Sequence, residues 1–162
     1  MAIYVKYGNI KGDATHTNHK GSDGWWAAHS CSMNVSRSIS TPTGATQDRT
    51  PSHAFLQDIV LTKTQNTSSS AFFKEATVGE GVPCTIHFVQ DGGAHGETYM
   101  ELTLTNAMIS LYGQHGAESG RPTETISVSC TKIEVKTTEY DAKGKTVTSK
   151  GYTFDVSTGK TQ

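Results

Sequence analysis

Histidine is the residue type in this sequence that most directly suggests a metal site, because a neutral imidazole nitrogen is a common metal ligand. Seven histidines are present, and His16 and His19 have a spacing that two ligands often show. Zinc and iron sites need three or four converging ligands, and no cysteine or third histidine follows this pair closely. A metal-dependent barrel enzyme would therefore require His87, Glu97 and another histidine to converge from neighbouring strands.

Motifs for nucleophilic catalysis and phosphate binding are absent from the sequence. It contains no G-x-S-x-G or H-E-x-x-H, and its glycine-rich segments match neither a phosphate loop nor a dinucleotide fingerprint. Glu97 and Glu101 share a face of a predicted strand about 13 Å apart, at ~3.3 Å per residue. That separation exceeds those of glycosidase carboxylate pairs. We therefore predict no enzyme, no catalytic residue, no cofactor and no metal.

Aromatic residues allow one alternative binding function. A carbohydrate-binding β-module would use Trp25, Trp26 and Tyr99 as a platform on which sugar rings stack. The competing interpretation of the tryptophan pair is an edge of the core or a contact between subunits.

Length and composition indicate a β-rich globular chain. Its 162 residues predict one domain over 1–162, and the net charge of −1 argues against nucleic-acid and anionic-membrane partners. The 24 threonines, 10 valines and 8 isoleucines greatly outnumber the 5 leucines, which favours strands over helices. No segment approaches a membrane helix in length, and the first residues lack the pattern of a signal peptide.

Period-2 alternation predicts the strands that would position these side chains. It recurs around residues 3–7, 31–35, 59–61, 84–88, 100–111, 126–135 and 152–156. The apolar phase changes near Thr131, which indicates a bulge or a bend between two sheets. Phe72, Phe73 and Ala76 instead have helical spacing after three serines, which predicts one helix from about Ser70 to Val78 with Gly79 as its C-cap candidate. The expected fold is mainly β, with two packed antiparallel sheets forming a barrel-like core beside this helix.

An extended polar loop is predicted at about residues 37–52. The segment contains two prolines and one glycine, has no strong periodicity and is long for an ordinary connection.

The order of these segments resembles the Hcp (haemolysin-coregulated protein) family, the tube subunit of the bacterial type VI secretion system. The resemblance is carried by segments that span nearly the whole chain: YVKYGNIKG at 4–12, TKTQNTSSSAFFKEATVG at 62–79, YMELTL at 99–104 with ISL at 109–111, and PTE, ISVS, IEV and GYTF between 122 and 154. Asn66, Ser70 and Phe72 differ from the Asp, Pro and Leu that the family often has there.

The resemblance implies a structural rather than catalytic role. Six subunits would form a homohexameric ring, and stacked rings would form a hollow tube, tipped by a spike protein and propelled by a contractile sheath. Small effectors could travel in the lumen, and the subunit would pass from the bacterial cytoplasm to the outside without a cleaved signal peptide. The polar loop would reach a neighbouring subunit or ring. Its candidate assembly residues are Arg37, Thr43, Gln47, Asp48 and Arg49.

Overall fold

The computed structural model describes residues 1–41, 43–44, 50–90, 96–141 and 143–161. Within these ranges the chain forms short and long β-strands, one α-helix and one 3₁₀ helix (Gly21–Asp23). In chain order the strands and the α-helix are β1 (Ala2–Tyr7), β2 (Thr15–His16), β3 (His19–Lys20), β4 (Trp25–Ala28), β5 (Ser30–Ser32), β6 (Val35–Ser36), β7 (Ile39–Ser40), β8 (Thr50–Pro51), β9 (Phe55–Leu56), β10 (Ile59–Thr64), α1 (Ser69–Val78), β11 (Val82–Gln90), β12 (Glu97–His115), β13 (Thr123–Ser129), β14 (Lys132–Tyr140), β15 (Thr146–Asp155) and β16 (Lys160–Thr161).

Two antiparallel layers enclose one apolar core. The first layer has the strand order β16-β15-β14-β12-β11-β1-β4, and the second has the order β5-β10-β13-β12. Burial alternates along β1, β10 and β13, as period 2 requires for strands with one face inward. The core draws on both layers and includes Ile3, Val5, Trp26, Ile59, Leu61, Ile86, Leu102, Leu104, Ile126 and Val128.

The long strand β12 belongs to both layers. Its first part pairs with β11 and β14, whereas residues from Met108 onward pair with β13. At the change of layer, Asn106 has φ 53°, in the left-handed region that asparagine tolerates better than most residues. A register shift between Ile109 and Leu111 follows. The bend lets one continuous strand join the two layers.

The predicted fold class is confirmed, with one correction to its barrel-like description: the sheets are not closed into a barrel. β14, β15 and β16 continue the first layer past β12, on the side away from β11. At the opposite corner, β4 pairs with β1 of the first layer, whereas β5, which follows it after His29, pairs with β10 of the second layer. The phase change near Thr131 is where the chain leaves β13 in the second layer and enters β14 in the first.

Helix α1 begins one residue before its predicted start and ends at the predicted Val78. Ser68 occupies the N-cap position without a side-chain capping bond, and the turn is organised by Asn66, whose Oδ1 accepts hydrogen bonds from the Ser68 backbone N–H and hydroxyl at 3.1 and 2.6 Å. Gly79 is the C-cap, in an extended conformation. Phe72 is fully buried, but Phe73, expected on the same apolar stripe, is 60% exposed.

The predicted polar loop begins and ends as an antiparallel hairpin. β6 pairs with β9, and β7 pairs with β8, so the two sides of the loop run together for several residues. A ladder of backbone hydrogen bonds therefore supports the base of the loop, which sequence periodicity did not predict.

The three cysteines are free thiols that pack as apolar groups. Cys84 is fully buried, and burial raises the pKa of Cys31 to about 11 and also raises the pKa of Cys130. None of the helices in the described ranges combines the length and the hydropathy that crossing a bilayer requires.

Candidate assembly surface

An apolar groove of about 260 Å³ lies between the base of the polar loop and strands β14 and β15. It forms because β6 and β9 turn apolar side chains toward the same region as the alternating apolar residues of β14 and β15. The residues that line it are Met33, Val35, Arg37, Ala54, Leu56, Ile133, Val135, Tyr152 and Phe154. We call this feature the loop-base groove.

The loop-base groove opens to solvent instead of closing into the core. Val35 of β6 and Tyr152 of β15 are 57% and 56% exposed, whereas Ile133, which also lines the groove, is buried. Contiguous exposed apolar residues with a polar rim are typical of an interaction site, since exposed apolar area is costly in water.

The predicted assembly residues are only partly within the structure. Arg37 is exposed and lines the loop-base groove, and Thr43 is exposed in a turn. Gln47, Asp48 and Arg49 lie outside the described residues.

Three histidines converge on the outer face of the first layer; we call His16, His19 and His87 the histidine cluster. His19 Nδ1 lies 3.2 Å from His16 Nδ1, and His19 Nε2 lies 2.8 Å from His87 Nδ1. His19 is only 4% exposed, stacked on Tyr4 and in edge contact with Trp25. Sequence spacing predicted the His16–His19 pair but not the addition of His87.

The histidine cluster does not have the geometry of a metal centre. No group of three or more His, Cys, Asp or Glu residues that could hold a metal ion is found in the described part of the chain. The carboxylate beside the cluster belongs to Glu101, 3.8 Å from His87 Nε2, and not to Glu97 as the metal hypothesis requires. Burial and then the neighbouring imidazoles of His87 and His16 lower the pKa of His19 to about 4. Burial also lowers the pKa of His87, against the opposing effect of Glu101.

The aromatic platform of the carbohydrate hypothesis does not form. Trp25 and Trp26 are adjacent on a strand and therefore point to opposite faces. Trp26 is 1% exposed and packs against Phe72 in the core, whereas Trp25 contacts His19 on the outer face. A sugar could not stack on both rings.

A buried ion pair lies beneath α1, and sequence analysis did not predict it. Lys63 Nζ donates to Glu124 Oε2 at 2.8 Å, and their side chains are 1% and 0% exposed. The other Glu124 oxygen accepts from the Tyr112 hydroxyl at 2.9 Å and the Gln114 amide at 3.1 Å. Lys63 also donates to Asn66 Oδ1 at 2.9 Å, which connects the pair to the start of α1.

The hydrogen-bond network determines the charge of Glu124. Burial by itself raises the pKa of this carboxyl, but hydrogen bonds from Lys63, Ser69, Tyr112 and Gln114 outweigh burial and hold the pKa below its usual value. The sequence contained a usable signal for this pair: Lys63 continues the inward alternation of β10, and Glu124 continues that of β13. A charged residue in phase with a buried face indicates a paired buried charge.

Comparison with known proteins identifies the family. The sequence model of "Type VI secretion system effector, Hcp" matches residues 4–137. The chain belongs to the Hcp family. The resemblance seen in the sequence segments is thereby confirmed.

Solved structures show that this Hcp chain has the fold of its family. A structure described as a type six secretion system protein superposes with a TM-score of 0.90 at 20% identity, covering 99% of each chain. Hcp1 from Salmonella typhimurium gives 0.76 at 15% identity, covering 99% of this chain and 98% of that one. A type VI secretion system effector from Yersinia pestis gives 0.73 at 15% identity, covering 95% and 99%. No curated protein sequence matches significantly.

Proposed function

We propose that this Hcp chain is the structural subunit of a type VI secretion inner tube. Family membership supports a secretion tube or effector protein, and Hcp proteins form ring assemblies. The proposal adds that six copies form a ring, that rings stack into a hollow tube, and that the subunit works without catalysis. A spike protein, a contractile sheath and small effectors in the lumen are its proposed partners, and export from the bacterial cytoplasm is its proposed route.

The observation that carries the ring proposal is the exposed loop-base groove. Val35 and Tyr152 are more than half exposed, in a groove that the buried core residue Ile133 also lines. A head-to-tail contact that covers such a groove with a different surface of the next copy closes into a ring when the rotation per subunit permits. We therefore propose that a second copy of this chain covers the groove.

The polar loop is the proposed contact between rings. Its base is held by the β6–β9 and β7–β8 ladders, which support the two ends of the segment. We propose that Arg37, Thr43, Gln47, Asp48 and Arg49 make contacts rich in hydrogen bonds, which suit an interface that must form and later separate.

Light scattering after size-exclusion chromatography tests the ring. The wild-type chain is expected at about six times 17.4 kDa, with annular particles in negative-stain electron microscopy. A strict monomer at high micromolar concentration would contradict the tube proposal.

A matched pair of variants tests the groove. Val35→Asp places a carboxylate in the groove, whereas Val147→Asp makes the same change at a residue that is 62% exposed and does not line the groove. Val35→Asp is expected to give folded monomers and Val147→Asp to leave the ring intact. If both variants remain hexameric, the ring contact lies elsewhere.

Deletion of residues 43–49 tests the stacking contact. Because the β6–β9 ladder lies outside the deletion, rings are expected to persist while tubes are lost. Circular dichroism melts provide the folding control, and a collapse of the melting transition would show that this segment supports the core.

A further inference from the structure

The β2–β3 hairpin is attached to the outer face of the first layer through its two histidines and through the backbone N–H of Ala14, which donates to the Trp25 carbonyl at 3.1 Å. His19 is nearly completely buried between Tyr4, in stacked contact with ring centroids 4.6 Å apart, and Trp25, in edge contact at 4.7 Å. Both strands of this hairpin have only two residues. A hairpin this short has little stability by itself, so its position depends on the histidine cluster.

A row of paired residues on the sheet defines the surroundings of the cluster. Tyr4 of β1, His87 of β11, Glu101 of β12 and Lys136 of β14 are successive cross-strand partners. The titratable and charged groups that face His19 and His87 are therefore Tyr4, His16, Glu101 and Lys136, with Lys6 on the same face of β1 beside Gly24.

The numbers of hydrogen-bond donors and acceptors on the imidazoles limit how many protons the closed cluster can hold. A neutral imidazole offers one donor and one acceptor, and an imidazolium offers two donors. With no extra proton, or with one, each of the two N···N contacts can pair a donor with an acceptor. With protons on both His19 and His87, two N–H groups would face each other across 2.8 Å, between two positive charges in a buried site.

We propose that the histidine cluster is an acid-sensitive device that holds the β2–β3 hairpin closed at neutral pH and releases it when a second imidazole is protonated. This inference does not depend on the tube proposal. The low pKa of His19, about 4, agrees with it, since burial there disfavours the charged form.

The sign of the pH dependence follows from linkage. A histidine whose pKa in the closed state is below its free value of about 6.5 binds protons more strongly when the hairpin is open. The closed state is therefore fully favoured above that free value, and its advantage is lost as pH falls from 6.5 toward 4.

Hydrogen exchange measured by mass spectrometry provides the test. Protection of the amides in residues 12–21, corrected for the intrinsic pH dependence of exchange, should fall by up to about 60-fold between pH 6 and pH 5 when both His19 and His87 stay neutral in the closed state, against about 8-fold when only one of them does. The backbone N–H of Gly21, which donates to Ala14 at 2.7 Å, is a suitable reporter. The helix α1 is the internal reference and should keep its protection.

Three variants separate a proton-driven release from general acid instability. His19→Phe keeps an aromatic ring between Tyr4 and Trp25, leaves His87 as the remaining buried imidazole and should reduce the fall to about 8-fold or less. His87→Gln keeps a hydrogen-bonding group and should reduce the fall to about 8-fold. His115→Gln removes an exposed histidine on β12 and should retain the full wild-type response.

The proposal would be overturned in either of two ways. Wild-type protection that changes by less than about 2-fold between pH 6 and pH 5 would show that no release occurs. His19→Phe or His87→Gln proteins that lose protection as steeply as wild type would assign the response to other groups. If His19→Phe is already open at neutral pH, the His87→Gln slope alone decides between these results.

Discussion

Replacing Glu124 by glutamine is the change that most directly tests how the buried network contributes to stability. The substitution keeps nearly the same shape and leaves a carbonyl oxygen to accept from Tyr112 and Gln114, but it removes the charge that Lys63 faces at 2.8 Å. Lys63 is 1% exposed and would remain in the core with no opposite charge. Breaking a buried pair on one side in this way costs about 3 to 5 kcal/mol.

Urea unfolding followed by tryptophan fluorescence measures this cost. At a fixed protein concentration, and with an m-value of about 2 to 3 kcal/mol per molar, a loss of about 3 kcal/mol lowers the unfolding midpoint by roughly 1 to 1.5 M. Glu118→Gln, the same change at an exposed glutamate, is the matched control and should stay within about 0.5 kcal/mol of wild type.

The double variant Lys63→Met with Glu124→Gln completes the cycle. Because both charges are removed together, no uncompensated charge remains, and the double variant should be more stable than Glu124→Gln alone. A Glu124→Gln protein that unfolds at the midpoint of Glu118→Gln would refute the reasoning that Lys63 depends on this carboxylate.

Acidification should reproduce the effect in the wild-type protein. Since the folded-state pKa of Glu124 lies below its ordinary 4.5, this carboxylate stabilises the fold above that value and loses its contribution as pH falls through the folded pKa. The difference in unfolding free energy between wild type and Glu124→Gln should therefore narrow in acid. A difference that stays constant from pH 7 to the acid limit of the fold would contradict the assigned charge state.

Two further substitutions test the local structure beside this network. Asn66→Ala removes the oxygen that accepts hydrogen bonds from Ser68 before α1 and should lower the unfolding free energy by about 1 to 2 kcal/mol in denaturant titrations. Asn34→Ala changes an exposed residue between two strands and should have little effect. Gly81→Ala would place a Cβ against the Asn106 side chain at the bend of β12 and should lower the melting temperature by several degrees. Its control is Gly116→Ala, whose Cβ would contact no other atom. Equal melting temperatures of the two variants would show that the bend can adjust.

Much of the sheet architecture could be predicted because alternation reports directly which face of a strand is buried. Alternation placed Ile59 and Leu61 on one face of their strand and Ile126 and Val128 on one face of theirs, and all four are buried. The phase change near Thr131 revealed the crossing between the two layers. Closure of the sheets could not be predicted, because it depends on which strands pair at the two corners. That pairing leaves no periodic signal.

The polar clusters were harder to predict, for two different physical reasons. The histidine cluster joins His19 to His87, 68 positions apart, through a hairpin too short to alternate. Lys63 and Glu124 followed the alternation of their strands, but charged residues are normally expected to point outward. A charged residue at a position where alternation predicts a buried side chain is therefore a candidate member of a buried ion pair. The assembly residues stay a prediction, and they are Arg37, Thr43, Gln47, Asp48 and Arg49.

The membership of β12 in both layers has a consequence for how the protein is made. During synthesis from the N-terminus, β10 leaves the ribosome before β12 and long before its partner β13. The second layer thus cannot assemble on the nascent chain until β13 has been translated, and pairings between distant segments form slowly. Assembly of the second layer should consequently be a late event, so the apolar faces of β1 and β10 need protection from aggregation until β13 has emerged from the ribosome.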